Sequence, residues 1–416
     1  MPGTGMSTAG LAPETSRSRA ALVSAIGCAI CLVFGLIPLF MGAFPLFLQP
    51  VSSSFGWGLS VFPQSPMIVG LTAAATGPWI GRLVDRYGVR RVLAPGLAIW
   101  CAGFFALSLM NGSIAQLYLV TIFMAVGGTI AGPISYAKVV NGWFGRNRGL
   151  ALGLVLGGVP AVATAIAVQV TQGLIDAHGW RATFRILAIV AAVVTIPAAL
   201  LLVREASDGS APGQTIPELD GVPAKEAVLS RDFILAIGSC GLAVGALMAV
   251  TAHFIGWMAE RGVSKETATF ALSLYSLAGP LGPLLGGLLV DRVQTPRIFA
   301  IFSALGVIGM ALLLGLGGAG VLPGMALLGL AFSSINGLAP YLVSRYFGMA
   351  SASEILGATF AVLTIGMGAG PVLMGLGHDL TGGYSQPIGA AMALLLGCTI
   401  LGLLFRPYRF AAIPRQ

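Results

Sequence analysis

GRLVDRYGVRR, residues 81–91, sets five ionised side chains in eleven positions of a chain that is only 9% charged. Apolar sequence flanks it on both sides, SPMIVGLTAAATGPWI before it and VLAPGLAIWCAGFFALSLM after it. A fainter copy, GGLLVDRVQTPR, returns at 286–297. Charge concentrated between apolar runs is the pattern of a short loop joining two membrane spans. Composition points the same way. The 416 residues are 56% hydrophobic, with a mean hydropathy of +0.92 and 59 glycines. The 22 basic and 14 acidic residues cannot cover a soluble protein of this size. A bilayer removes the difficulty, because the exterior is then allowed to be as apolar as the core. The net charge of +8 is scattered between apolar runs and builds no basic domain, which excludes nucleic acid as a partner.

Hydropathy predicts an all-α membrane protein with twelve transmembrane helices. They fall at 20–47, 60–82, 92–111, 115–143, 149–175, 182–203, 232–259, 267–290, 297–317, 321–346, 353–377 and 387–406. Residues 1–19 read as a disordered polar tail, without the apolar core and cleavage site of a signal peptide. Residues 20–203 form an N-terminal six-helix bundle and 232–406 a C-terminal one. The segment 204–231, rich in Pro, Gly and acids, reads as a flexible linker, and 407–416 as a tail. Numbering the loops alternately puts seventeen Lys and Arg on the side of the chain termini and four on the other, with Lys138 inside a span. The positive-inside rule then predicts that both termini are cytoplasmic. Arginine outnumbers lysine nineteen to three and Ala and Gly abound, which points to a GC-rich bacterial genome and an inner-membrane location. Cys28, Cys31, Cys101, Cys240 and Cys398 all fall inside spans; the lone CxxC at 28–31 reads as helix packing. No cofactor or metal is expected.

The two charged loops are related by a repeat. Asp85 and Asp291 lie 206 residues apart, close to half the chain. The same offset places Gly56 on Gly262, and a slightly shorter one places Trp143-Phe144 on Tyr346-Phe347. Six spans plus six is the expected architecture of many secondary transporters. A single chain supplies both halves, so a monomer suffices.

At this point GRLVDRYGVRR resembles the signature loop of the major facilitator superfamily, Gly-x-Leu-x-Asp-Arg-x-Gly-x-Arg-Arg. The resemblance implies a cytoplasmic latch formed by Gly81, Asp85, Arg86, Arg90 and Arg91, echoed by Asp291 and Arg292. Its contacts form in one rocking state and break in the other. Physically, Gly81 permits close helix approach, and Asp85 accepts hydrogen bonds from a helix N-terminus and an arginine. WFGRNRGLALGLVLGG, 143–158, resembles the span 4–5 junction of the monocarboxylate-porter-like branch, with Arg146 and Arg148 as its basic cluster. GWRATF at 179–184 fits the outside entry to span 6, and AHFIGWMAERGVS at 252–264 resembles the end of span 7 in bacterial members of that branch, of the oxalate-formate-antiporter type. Two features depart from it. Pro283 stands where bacterial relatives often carry a substrate-binding Arg, and the span 1 stretch GLIPLFMGAFPLFLQP has no lysine.

Polar groups inside spans are functional candidates, because insertion of an ionised one costs about 2.5–3.5 kcal/mol. Lys138, in GPISYAKVVNGWF, is the clearest; its alternatives are an anion-binding cavity or snorkelling to the headgroups. Tyr136 is nearby. His253, deep in span 7, is either a satisfied core histidine or a proton-responsive group. His178 and His378 read as solvated loop residues. Gln64, Tyr275, Asn336 and Tyr341 are further hydrogen-bonding candidates, with helix–helix bonds as the alternative for each. No Walker motif is present, and the spans hold no mid-membrane carboxylate pair, which disfavours an intramembrane enzyme or receptor. The expected function is secondary transport of a small organic anion, a monocarboxylate or aromatic acid, by rocking alternating access, with protons as candidate co-substrates in symport. The alternative is export of hydrophobic neutral or drug-like solutes.

Overall fold

The computed structural model of the chain describes residues 14–144, 151–205, 221–283, 285, 289, 296–315, 317–348 and 351–409. Span 1 consists of three pieces: helix Glu14–Val33, a π-helical turn Leu36–Gly42 and helix Phe44–Phe55. Pro38 and Pro45 supply no backbone N–H, so a regular α-helix cannot run through. The first helix begins at Glu14, earlier than the tail expected to residue 19. Ala20 and Ala21 favour helix, and a carboxylate at the N-terminal end suits the helix dipole.

Span 2 is Gln64–Tyr87 and span 3 Val89–Leu107. Span 4 is broken: Ile114–Ile130 ends at Ala131-Gly132, and Pro133–Trp143 restarts with proline in its first turn, where a missing N–H costs nothing. Span 5 opens with a second π-helical segment, Gly153–Gly158, and continues into the helix Val159–Leu201. Gly179, at φ 76°, divides that helix into span 5 and span 6. After a short helix, Ala224–Val228, come span 7 (Arg231–Glu260), span 8 (Lys265–Ala278), span 9 (Ile298–Gly315), span 10 (Gly318–Phe347), span 11 (Ala352–Thr381) and span 12 (Ser385–Leu403). Among the described residues nine segments are long and apolar enough to cross a membrane, one of them the joined pair 153–201. Spans 2 and 8 complete the twelve crossings.

The repeat is visible in the backbone. Gly56 and Gly262, 206 residues apart, both turn the chain with positive φ, at 65° and 71°. Gly179 and Gly382, 203 apart, do so at 76° and 74°. Only glycine takes this conformation at little cost, so equivalent turns in the two halves demand it at equivalent places.

With an even number of crossings, the start of span 1, the 2–3 turn, the end of span 6, the start of span 7 and the end of span 12 share one face, termed here the near face. The 1–2, 5–6, 7–8 and 11–12 turns form the far face. Large apolar side chains are exposed on spans 3, 6, 9 and 12, among them Phe105, Val193, Ile308 and Ile400. Such a belt is stable only against lipid. All five cysteines are buried and free.

Candidate functional site

The seam between the halves is one-sided. Spans 2 and 11 cross so tightly near the far face that a Cβ on Gly70 would strike Thr364. One on Gly368 would meet Met67 Cα at 2.7 Å, and one on Gly375 would meet Leu59 O at 2.5 Å. Towards the near face the same spans part: a Cβ on Gly77, Gly81 or Gly357 would meet no atom within 4 Å. Hydrogen bonds follow the packing. Across the far face, the Asp379 carboxylate accepts the backbone N–H of Leu59 at 3.0 Å and of Ser60 at 3.3 Å. Lys265 pairs with Asp176 between spans 8 and 5. Deeper in, Gln169 donates to Ser273 Oγ at 2.9 Å, and that hydroxyl donates to Ala165 O at 2.9 Å.

The charged loop is bracketed by helix-end electrostatics of the expected sign. Glu205, at the end of span 6, accepts Val89 N–H at 2.6 Å at the N-terminus of span 3. Lys138 donates to Val84 O at 3.2 Å, at the C-terminus of span 2. A carboxylate on a helix N-terminus and an ammonium on a C-terminus both oppose the local dipole charge. Arg82 stacks on Trp79 at 5.0 Å and Arg86 on Tyr87 at 5.3 Å. Arg90 and Arg91 line a hollow of about 330 Å³ with Arg204 and Glu205. At Gly81 itself a Cβ would meet no atom within 4 Å. The side chain of Asp85, and Arg146, Arg148, Asp291 and Arg292, lie outside the described residues.

Span 10 carries the best candidate for contact with a solute. Its residues Leu328, Ala331, Ile335, Leu338, Ala339, Leu342 and Val343 are buried. Phe332, Ser333, Asn336, Tyr341 and Ser344 are partly exposed and Gly337 exposed, although Ser333 also abuts Gly282, where a Cβ would stand 2.0 Å from its hydroxyl. The spacing is helical, and span 10 exposes no large aliphatic side chain of the kind that meets lipid elsewhere. A partly exposed polar stripe on a membrane helix faces the bundle interior or a water-filled cleft. Asn336 donates to Phe332 O at 2.8 Å, while Tyr341 lies under the Arg345 guanidinium at 5.7 Å. Sequence reasoning picked out Asn336 and Tyr341; Ser333 and Ser344 were readable only from their helical spacing to these two.

The other candidates are placed elsewhere. Tyr136 is fully enclosed among Cys28, Cys31 and Val84 inside the N-terminal half, so its expected contact with substrate is not met in this conformation. The helical period explains it, since Tyr136 shares a face with buried Val139 and Val140 and not with Lys138. Gln64 bridges spans 2 and 4, accepting from Tyr118 at 2.7 Å and donating to Ser60 O at 3.3 Å. Tyr275 packs on Phe332 at 6.0 Å, with its buried hydroxyl lacking a hydrogen bond of normal geometry. His253 is 1% exposed and has both nitrogens engaged. Pro371 O lies 2.9 Å from Nε2 and can only accept, so Nε2 carries the proton. Nδ1 then accepts from Tyr384 OH at 3.1 Å. Both ring nitrogens of this core histidine are thus partnered. No group of three or more metal-ligating side chains occurs among the described residues.

The sequence profile of the Major Facilitator Superfamily matches residues 26–371. The MFS-type transporter YcxA of Bacillus subtilis is 22% identical over 83% of this chain and 86% of its own length. Monocarboxylate transporter 2 of Rattus norvegicus is 22% identical over 94% of this chain and 84% of its own. Among solved structures, a bacterial homolog to the human lysosomal transporter Spinster, in an inward-facing and occupied conformation, superposes with a TM-score of 0.70. That likeness covers 94% of this chain and 97% of the other at 14% identity, and it speaks to the fold alone. With twelve crossings in two repeated halves, the signature loop at 81–91 and a profile match over most of its length, the chain belongs to the Major Facilitator Superfamily, whose members are transporters and not enzymes.

Proposed function

We propose that this chain carries a small organic anion, a monocarboxylate or aromatic acid, across a bacterial inner membrane by alternating access, acting as a monomer with both termini in the cytoplasm. The observation that carries the mechanism is the one-sided seam. Spans 2 and 11 are locked at Gly70, Gly368 and Gly375 and separated at Gly77, Gly81 and Gly357. Two rigid halves in contact at one end only are built to rock. The seventeen-to-four excess of Lys and Arg on the near face supports a cytoplasmic near face. The conformation is then inward-facing, with the span 10 stripe of Ser333, Asn336, Tyr341 and Ser344 turned to the open cleft.

The anion reading draws on relatives that carry the name monocarboxylate transporter. An uncharged stripe can hydrogen-bond a carboxylate or its protonated acid. A second reading, export of neutral apolar solutes, is favoured by one observation: Lys138, the ionised group inside the N-terminal spans, bonds to the end of span 2 and not to the stripe. Flux measured in proteoliposomes decides between them. Short aliphatic acids, benzoate and uncharged dyes are offered with and without a pH gradient. Saturable carboxylate flux supports the first reading; flux of the uncharged dyes with none for any carboxylate overturns it.

A further inference from the structure

The far-face lock contains a titratable cluster that the transport reading does not use. Asp379 is its centre, because it is the carboxylate that reaches across the halves to Leu59 and Ser60. Its neighbour His378 lies between two acids. His378 Nε2 donates to Glu260 Oε1 at 3.1 Å, and Nδ1 stands 3.9 Å from Asp379 Oδ1. The ring is 21% exposed, so protons from the far-face solution reach it. Tyr384 covers the other side, with its ring centroid 4.4 Å away. Burial, followed by the Glu260 and Asp379 charges, pushes the Tyr384 phenol up, so it remains a donor to His253.

The remaining charges point away. Arg261, beside Glu260, donates to Leu314 O at the start of the 9–10 turn. Lys265 is paired with Asp176. The opposing turn 56–63 carries no ionisable side chain and offers backbone N–H groups alone. The titratable groups around His378 are therefore Glu260, Asp379 and Tyr384, with His253 behind Tyr384.

We propose that His378 is a proton-binding site on the far face, and that its proton opens the far-face lock by taking Asp379 from Leu59 and Ser60. With Nδ1 unprotonated, a lone pair faces Asp379 Oδ1, and the carboxylate is held instead by the two N–H groups of the opposite half. A proton on Nδ1 turns that lone pair into a charged donor, which competes with Leu59 N–H for the same oxygen. When the lock is open, Asp379 is released to pair fully with the imidazolium. The open form therefore binds the proton more tightly, and by linkage acid on the far face favours the open form. The assignment of the far face to the outside rests on the functional reading above; the lock itself does not.

Nitroxides at Ser53→Cys and Glu266→Cys, on opposite halves at the far face, report opening. The five native cysteines are buried, so the label falls on the introduced pair. The background carries His178→Gln, leaving His253 and His378 as the histidines. In proteoliposomes with pH varied on each side separately, far-face acidification is expected to raise the long-distance population, by up to about tenfold per pH unit for one proton. Near-face acidification should not. His378→Gln should abolish the response. Glu260→Gln should move its midpoint down, since a carboxylate in contact favours the imidazolium. A response that survives His378→Gln with an unchanged midpoint overturns the proposal, as does a native protein without any response. The readout needs no substrate, so failure of the carboxylate assignment would leave it standing, and its own failure would leave carboxylate flux untouched.

Discussion

Gly368→Ala is the sharpest small perturbation of the far-face lock. A methyl group there meets Met67 Cα at 2.7 Å and Cγ at 2.6 Å, well inside van der Waals contact. Met67 Cγ could rotate away, but Cα is backbone on span 2, so the two helices must separate by about an ångström. Overpacking of this kind costs about 1–3 kcal/mol. In a fully rigid protein that cost would fall on stability. In the proposed rocking cycle spans 2 and 11 have a second arrangement, parted at the far face, in which the methyl group fits. The cost therefore becomes a shift between the two states, about 5- to 150-fold in their ratio. Gly357→Ala on the same span is the control, since nothing lies within 4 Å of its Cβ position. The assay is the Ser53/Glu266 nitroxide distance in proteoliposomes at fixed pH. Gly368→Ala should enlarge the long-distance population and Gly357→Ala should leave it unchanged. A folded Gly368→Ala protein with the native distribution would refute the view that close packing of these glycines holds the far face shut.

Other outcomes follow from the same geometry. Lys138→Gln removes the ammonium from Val84 O and should slow maximal flux, by no more than about thirtyfold for a helix-end charge worth up to about 2 kcal/mol, with the substrate KM little changed and Lys138→Arg near native. Asn336→Leu withdraws a polar group from the span 10 stripe and should raise KM about 5- to 150-fold if a carboxylate loses a hydrogen bond worth about 1–3 kcal/mol, while expression holds. His253→Leu leaves Tyr384 OH and Pro371 O without their partner, so thermal unfolding in detergent should begin at lower temperature, with the pH response of the far face retained.

The spans were legible because a run of about twenty apolar residues has few fates other than crossing a membrane, and glycine turns at matching offsets carried the repeat. The breaks within spans 1, 4 and 5 were not, since hydropathy averages over the few residues that break a helix. Gly35, Pro38 and Pro133 mark two of them only in retrospect. Lys138 stood out as a charge in a span, but its partner, the Val84 carbonyl, lies on span 2, and main-chain acceptors leave no trace in sequence. His378 read as a solvated loop residue for a related reason. Glu260, its hydrogen-bond partner, is 118 residues away, and the two meet only because spans 7 and 11 pack together. Tyr136 shows the opposite case: helical period alone separates it from Lys138 and assigns it to the buried face.

The most direct test of alternating access pairs two distances in one protein. Ser53 and Glu266 report the far face, and Leu201 and Leu404, both exposed at the ends of spans 6 and 12, report the near face. On adding a transported carboxylate at fixed pH, the far pair should lengthen while the near pair shortens, in the same fraction of molecules. Distances that change in the same direction, or a near pair that stays fixed while flux proceeds, would contradict a rocking exchange between the two faces.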